Sequence, residues 1–279
     1  MHLALDHLTV TDAYPWEVAA LAGQNGLQGC CLFLESMSVL PLMPTYSLIE
    51  DTDALHRTRE ALETHQVTLD LVYPFTVTSR TQTQDFDKAL KTAAALKARA
   101  INLLVYDRDS ERAARSVSAL AEAAGQYGME AVIEFYPASA IKTLQQAHEL
   151  VEAAGQGNLG INVDILHLYR SGGAIEDLTR FNTHIRFAQL ADGPLLPPEN
   201  LELEAAQSRL DPGQGEFDLT GFIDRLPPVP TSFESPVLMG AAESSQRLLT
   251  MTELARALGG NSYDNHPARA GDAVLPEAE

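Results

Sequence analysis

The chain is poor in cysteine, in basic residues and in long apolar runs. It has two cysteines, adjacent at Cys30 and Cys31. Neighbouring side chains on a strand point to opposite faces, so this pair is not expected to bridge, and a disulfide framework is excluded. Two lone thiols suit a reducing compartment, so the expected location is the cytoplasm. No stretch reaches the ~18 apolar residues of a membrane-spanning helix. The opening MHLALDHLTV lacks the basic start and long apolar core of a secretion signal, so none is expected. Lys and Arg number 19 against 38 Asp and Glu, a formal net charge of −19. That field repels phosphate backbones, so nucleic acid is not an expected partner. No G-x-G-x-x-G follows the first apolar run, which weakens a dinucleotide-binding reading.

What is there is a cadence. Apolar residues make up 45% of the 279 positions, enough for one large core or two modest ones. Apolar, β-branched runs fall at 2–10, 29–35, 67–73, 100–106, 129–136, 159–165, 184–191 and 231–237. Between most of them lie stretches of helical spacing, such as DALHRTREALETH, DSERAARSVSALAEAAGQYG and IKTLQQAHELVEAAGQ. Gly128, Gly157 and Gly259 stand where helices would close. Strand and helix alternating about eight times over ~250 residues is the rhythm of an α/β (β/α)8 TIM barrel. A doubly wound open sheet is the alternative. The expected organisation is one barrel domain over 1–259 and a flexible tail over 260–279.

Two connections stand out. SMSVLPLMPTYSLIE (36–50) is long and apolar with two prolines, suited to a lid, a substrate wall or a contact with a second subunit of a homo-oligomer. DGPLLPPENLELEAAQSRLDPGQGE (192–216) is long, acidic and rich in Pro and Gly; loops of that length are functional or disordered.

In a barrel, chemistry collects at the C-terminal ends of the strands. Four successive runs are interrupted there by a polar side chain: Glu134 in AVIEFYP, Asp164 in INVDILH, Gln189 in IRFAQLAD and Glu234 in TSFESP. A lone buried carboxylate is expensive unless it is paired or binds a cation, and a shared cation would explain all four. Oxygen donors of this kind favour Mg, Mn or Co over a thiolate-type Zn site. For single residues the alternatives are an ion pair of Glu134 with Arg186, a turn-capping Asp164, a Gln189 bonded only to backbone, and an exposed Glu234. His167 follows Asp164 by three residues, on the expected loop leaving that strand, placed to touch a substrate hydroxyl or a metal-bound water, or else to lie on the surface. Arg209 in RLDPGQGEF suits an anionic or carbonyl oxygen of a substrate, or a nearby acid such as Asp211. Arg170 is expected to pair with a surface acid such as Glu176.

The motifs VIEFYP, VDILHLYRSGG, FAQLADGP, RLDPGQGEFDLTGFIDRL and SFESP, in order over roughly 129–236, resemble the xylose-isomerase-like TIM-barrel superfamily of sugar phosphate isomerases and epimerases. The resemblance implies a divalent metal (Mn, Mg or Co) on Glu134, Asp164, Gln189 and Glu234. It implies a small polyhydroxy carbonyl substrate, with Glu134, Glu234 and His167 as acid–base groups and Arg209, His7 and Tyr106, with Arg108, as candidate contacts. Many members have His where this chain has Gln189; Gln189 with PGQGE looks more like the 3-dehydroshikimate dehydratase branch, and inosose dehydratases are further relatives. Cys31 stands where relatives often carry a glutamate in the second strand. The endonuclease IV branch needs extra His ligands that are absent from this sequence. Proton removal α to a carbonyl, through an enediolate stabilised by the metal, is the shared first step implied. An isomerase or epimerase is the expected activity, with a dehydratase and a non-catalytic ligand-binding barrel as alternatives.

Overall fold

The computed structural model describes residues 1–236 and 244–263, with side chains of the last segment from 246 to 258. In chain order the main elements are β1 (Leu3–Asp6), α1 (Pro15–Gln24), β2 (Gly29–Phe33), α2 (Thr52–His65), β3 (Thr68–Val77), α3 (Asp87–Ala95), β4 (Ala100–Val105), α4 (Ser110–Gly125) and β5 (Glu130–Glu134). They continue with α5 (Leu144–Ala154), β6 (Leu159–Asp164), α6 (Ile165–Arg170), α7 (Asp177–Phe181), β7 (Ile185–Leu190), α8 (Leu201–Gln207), α9 (Leu219–Arg225), β8 (Thr231–Phe233) and α10 (Ser244–Tyr263). The strands close in sequence order, each parallel to the next, with β8 returning to β1. The chain is therefore a (β/α)8 barrel rather than an open sheet.

Local chemistry explains the elements. The Asp51 side chain accepts from the N–H groups of Asp53 and Ala54, capping α2, and Ala54, Thr58 and Leu62 form its buried stripe at four-residue spacing. Asp109 caps α4 in the same way, and Ala113, Val117, Leu120 and Ala124 are among the residues it buries. Thr143 caps α5, which ends at Gly155 in the left-handed region (φ 66°); the expected stop at Gly157 falls two residues late. Gly128, also left-handed at φ 74°, closes the turn after α4. The backbone of α10 runs through Gly259 rather than stopping there, and residues 264–279, most of the expected tail, lie outside the described residues.

Strand ends differ from expectation where a side chain intervenes. The first run is strand only to Asp6, because Asp6 then accepts from the Leu8 N–H and starts a 3-10 turn over His7–Val10. The 192–216 segment is not a bare loop. It contains α8, capped by Asn200, and Asp192 pairs across an antiparallel bridge with Leu210. The buried Asp192 carboxylate accepts from the N–H groups of Gly193, Gly213 and Phe217 and so fixes both ends of the turn. A side chain at Gly215 would strike Asp192 Oδ1, which explains the second glycine of PGQGE. The 36–50 segment folds back on its own barrel. Glu35 and Ser47 bridge, Tyr46 donates from its hydroxyl to the Phe33 carbonyl at 3.0 Å, and Met43, Tyr46 and Leu48 are buried. It packs beside the end of β2, with Val39 and Leu42 left exposed.

Candidate active site

The strand alternation points every second side chain at the barrel axis. On β6 this sends Asn162 and Asp164 inward together; β4 contributes Asn102, β5 Glu134, β7 Gln189, and the chain just past β8 contributes Glu234. All six are buried. The expected four thus converge at one end of the barrel.

Asp164 has two jobs. Its Oδ1 accepts from the N–H of Leu166 (2.7 Å) and His167 (3.4 Å), capping α6, so the turn-capping alternative is also fulfilled. Its Oδ2 accepts from Arg209 Nη1 at 2.5 Å. Arg209 Nη2 donates to Glu234 Oε1 at 2.7 Å, its Nη1 also reaches the Glu234 carbonyl, and its Nε donates to the Ala205 carbonyl. The guanidinium therefore ties β6 to β8 from the loop after β7. The acid partners are the two strand-end carboxylates themselves. Asp211 instead pairs with Arg247 of α10 at 2.6 Å.

Burial pushes Asp164 upward, but the charges of Arg209 and His167 and the hydrogen bonds to it outweigh burial and hold its carboxyl below the ordinary value. Glu234 goes the other way. Burial raises it well above the usual carboxylate range against the pull of Arg209, and the charges of Asp6, Asp164 and Glu134 add to the rise.

His167 lies on α6, not on a loop, and is buried. Its Nε2 stands 3.3 Å from Glu134 Oε1 and 3.7 Å from Asp164 Oδ2, and the Tyr136 ring packs against it at 4.8 Å. One donor atom each from Glu134, Asp164 and His167 lie within 4.8 Å of one another, a grouping suited to a metal ion. Glu134 is not paired with Arg186, which reaches Glu130 at 3.3 Å instead.

Gln189 stands differently from the expectation. Its Nε2 donates to Glu234 Oε2, and its Oε1 accepts from Asn162 Nδ2 at 2.6 Å. Asn162 Nδ2 also donates to Asn102 Oδ1 at 3.2 Å, and Asn102 donates onward to Glu134. Three amides thus link the two outer carboxylates. Asn162 Oδ1 is buried without a hydrogen-bond partner.

The other expected contacts divide. Tyr106 is 41% exposed at the rim and free to meet a ligand. Arg108 is exposed. His7 is fully buried, donating from Nε2 to the Ala13 carbonyl (2.9 Å) while Nδ1 faces the Phe33 N–H (3.4 Å). Neither nitrogen is left for a substrate, which corrects the expected contact. Burial lowers His7 to about 4, against the opposing Ala13 bond, so it stays neutral. Arg170 grips the buried Glu204 through two bonds of 2.7 and 2.6 Å rather than Glu176.

Sequence reasoning missed Asp6, Tyr73, Asn102 and Asn162. Asp6 ends β1 and accepts from the Tyr73 hydroxyl; burial raises it to about 7, with the Tyr73 and Leu8 bonds opposing. For three of them the signal existed: LALD and AINLL each break an apolar run with one polar residue, and GINVD with two, Asn162 and Asp164.

A parallel barrel with acids gathered at its C-terminal strand ends defines a class of TIM-barrel protein with its chemistry at the mouth. Residues 20–237 match the model of the xylose isomerase-like TIM barrel, and the chain belongs to that family. Over 100 residues it is 39% identical to the 3-dehydroshikimate dehydratase of Pseudomonas aeruginosa, covering 35% of this chain and 15% of that protein. Over 110 residues it is 32% identical to the inosose isomerase of Halalkalibacterium halodurans, covering 38% of each. The matches therefore span well under two thirds of either relative. The solved IOLI protein, with a binding zinc atom, superposes with a TM-score of 0.75 at 17% identity over 94% of this chain and 99% of that one, a likeness of fold.

Proposed function

We propose that the chain is a divalent-metal-dependent isomerase or epimerase of a small polyhydroxy carbonyl compound. The observation that carries this reading is the buried convergence of Glu134, Asp164 and Glu234, with Gln189 and His167, on one end of the barrel. The donor set fits a hard cation such as Mn, Mg or Co, with Glu134, Asp164, Gln189 and Glu234 as the holding residues. Gln189 now presents nitrogen to Glu234, so it joins the set by turning its amide over. Asn162 would have to turn with it, so that its Oδ1 accepts from Gln189 Nε2 and its present bond to Asn102 Oδ1 is given up. When bound, a divalent cation supplies positive charge to the carbonyl and hydroxyl oxygens of the substrate.

The chain's own residues supply the proton chemistry. Glu134 and Glu234 come from β5 and from beyond β8, so they flank a substrate lying across the mouth. One takes the proton α to the carbonyl and the other returns a proton. Burial shifts the Glu234 carboxyl upward, a direction that suits the acid role. His167 Nε2 is placed to exchange a proton with Glu134 Oε1. Arg209 keeps Asp164 and Glu234 in position, a role distinct from the expected direct substrate contact. Tyr106 and the segment over 36–50 bound the substrate.

The test is proton NMR in D2O with added Mn2+, using keto-sugars, inososes and 3-dehydroshikimate as candidate substrates. Deuterium uptake beside a carbonyl without loss of water is the expected result. The match to a 3-dehydroshikimate dehydratase favours a second reading, a dehydratase on the same residues, and loss of water would establish it. Neither exchange nor elimination with any of these substrates would leave a barrel that binds a ligand without turnover.

A further inference from the structure

We propose that His148, Glu152 and His184 form a second metal site, for a borderline transition cation of the Zn2+, Co2+ or Ni2+ class, at the end of the barrel remote from the mouth. His148 and Glu152 are four residues apart on α5 and share one face of the helix. His184 immediately precedes β7, five residues before Gln189 and at the opposite end of that strand. One donor atom from each of the three lies within 4.8 Å of the others.

The contacts within the cluster do not explain all of it. His184 Nε2 meets Glu152 Oε1 at 2.7 Å, an ordinary ion pair or hydrogen bond. The His148 ring sits 5.0 Å from that of His184, and its Nδ1 is buried with no hydrogen-bond partner. A buried imidazole nitrogen left unpaired is costly, and a cation shared with His184 and Glu152 would use its lone pair. The Phe181 ring is the other ring contact of His148, at 4.8 Å.

Two imidazoles and one carboxylate make a three-ligand set with room for a water, the donor chemistry of zinc-type ions and not of Mg2+. The mouth, with its oxygen-rich set, takes the harder ions. The two sites therefore sort cations by ligand type. A cation here would also tie α5 to the start of β7. Because it binds the folded chain and not the unfolded one, it would raise the melting temperature. Binding would weaken at acid pH, since both imidazoles must be unprotonated.

The experiment uses the full chain stripped with a chelator and dialysed against micromolar Zn2+, with metal content counted and the visible spectrum of the Co2+ form recorded. Wild type and Glu134→Gln are each expected to hold one equivalent that His148→Ala lacks. The affinity of that equivalent should fall by at least the roughly 10–100-fold that loss of an outer partner alone produces. Zn2+ should raise the melting temperature of Glu134→Gln but not of His148→Ala. His184→Gln repeats the test should His148→Ala fold poorly. Zn2+ content and affinity unchanged in both histidine variants would overturn the proposal, as would no Zn2+ uptake at micromolar concentration by Glu134→Gln. The mouth is read separately, with Mn2+: equal Mn2+ content in Glu134→Gln and wild type would remove the mouth site and leave the second site standing.

Discussion

The two halves of the barrel end in different chemistry. From β5 onward the strand ends supply Glu134, Asp164, Gln189 and Glu234, with Arg209 as the cation between two of the acids. From β1 to β4 they supply Asp6, Cys31, Tyr73 and Asn102, and these are closed on neighbours or silenced by burial. Asp6 is bonded to Tyr73 and pushed up to about 7 by burial. Burial, together with the charges of Asp6 and Asp70, pushes the Cys31 thiol up and keeps it un-ionised, at the place where the family resemblance leads one to expect a glutamate. His7 is neutral and spent on backbone. One half thus gathers its acids around a guanidinium, while the other has no such cation and keeps its one strand-end acid, Asp6, bonded to Tyr73 with its value raised to about 7. Polarising the mouth in this way leaves the negative charge where a cation would be held.

The largest break in that contrast should come from Arg209→Ala. Removing one partner of a buried ion pair leaves Asp164 and Glu234 uncompensated, and such losses cost about 3–5 kcal/mol. Urea unfolding without added metal should show that drop, and Mn2+ should restore part of it; an unchanged midpoint would mean the acids are not held by Arg209. The silent half is probed next. His7 has a folded value of about 4 against 6.5 in the unfolded chain, so below 6.5 the unfolded state takes up a proton that the native state refuses. Its contribution is full above pH 6.5 and is lost as pH falls towards 4, by roughly 3 kcal/mol in all. His7→Gln should remove that part of the pH dependence; Asp6 titrates in the opposite sense over the same range, so the difference between variant and wild type is the quantity to read. In the charged half, His167→Ala should lower turnover by roughly 10²-fold with metal retained, as loss of an acid–base group does. Metal content and rate measured together decide it, and an unchanged rate would leave proton transfer to the carboxylates. The smallest effect is expected of Gln189→His, which should keep its metal because imidazole suits the same ions. Loss of metal there would show that the amide ladder from Asn162, not a single donor, sets the site.

The fold was legible because eight apolar runs with capped helices between them leave few topologies, and strand order follows chain order. The charged half was legible for a similar reason: Glu134, Asp164, Gln189 and Glu234 each interrupt an apolar run at the same point of the repeat. Contacts across the barrel were not legible. Arg209 reaches Asp164 and Glu234 over 45 and 25 residues of chain, and Arg170 reaches Glu204 over 34. Nothing local encodes such partners, so Asp211 and Glu176 looked as good. His167 read as a loop residue because one side chain, Asp164, both ends the strand and caps the next helix. His7 read as a contact because its position at a strand end does not reveal that Ala13 and Phe33 occupy both of its nitrogens.

The most direct measurement is the divalent metal bound per chain by wild type, Glu134→Gln and Asp164→Asn after dialysis against Mn2+. Glu134 is the safer variant, since Asp164→Asn also weakens the bond to Arg209 and the start of α6. One equivalent in wild type and near-total loss in both variants is the predicted result. Full occupancy in both would contradict a cation centre at the ends of β5 to β8.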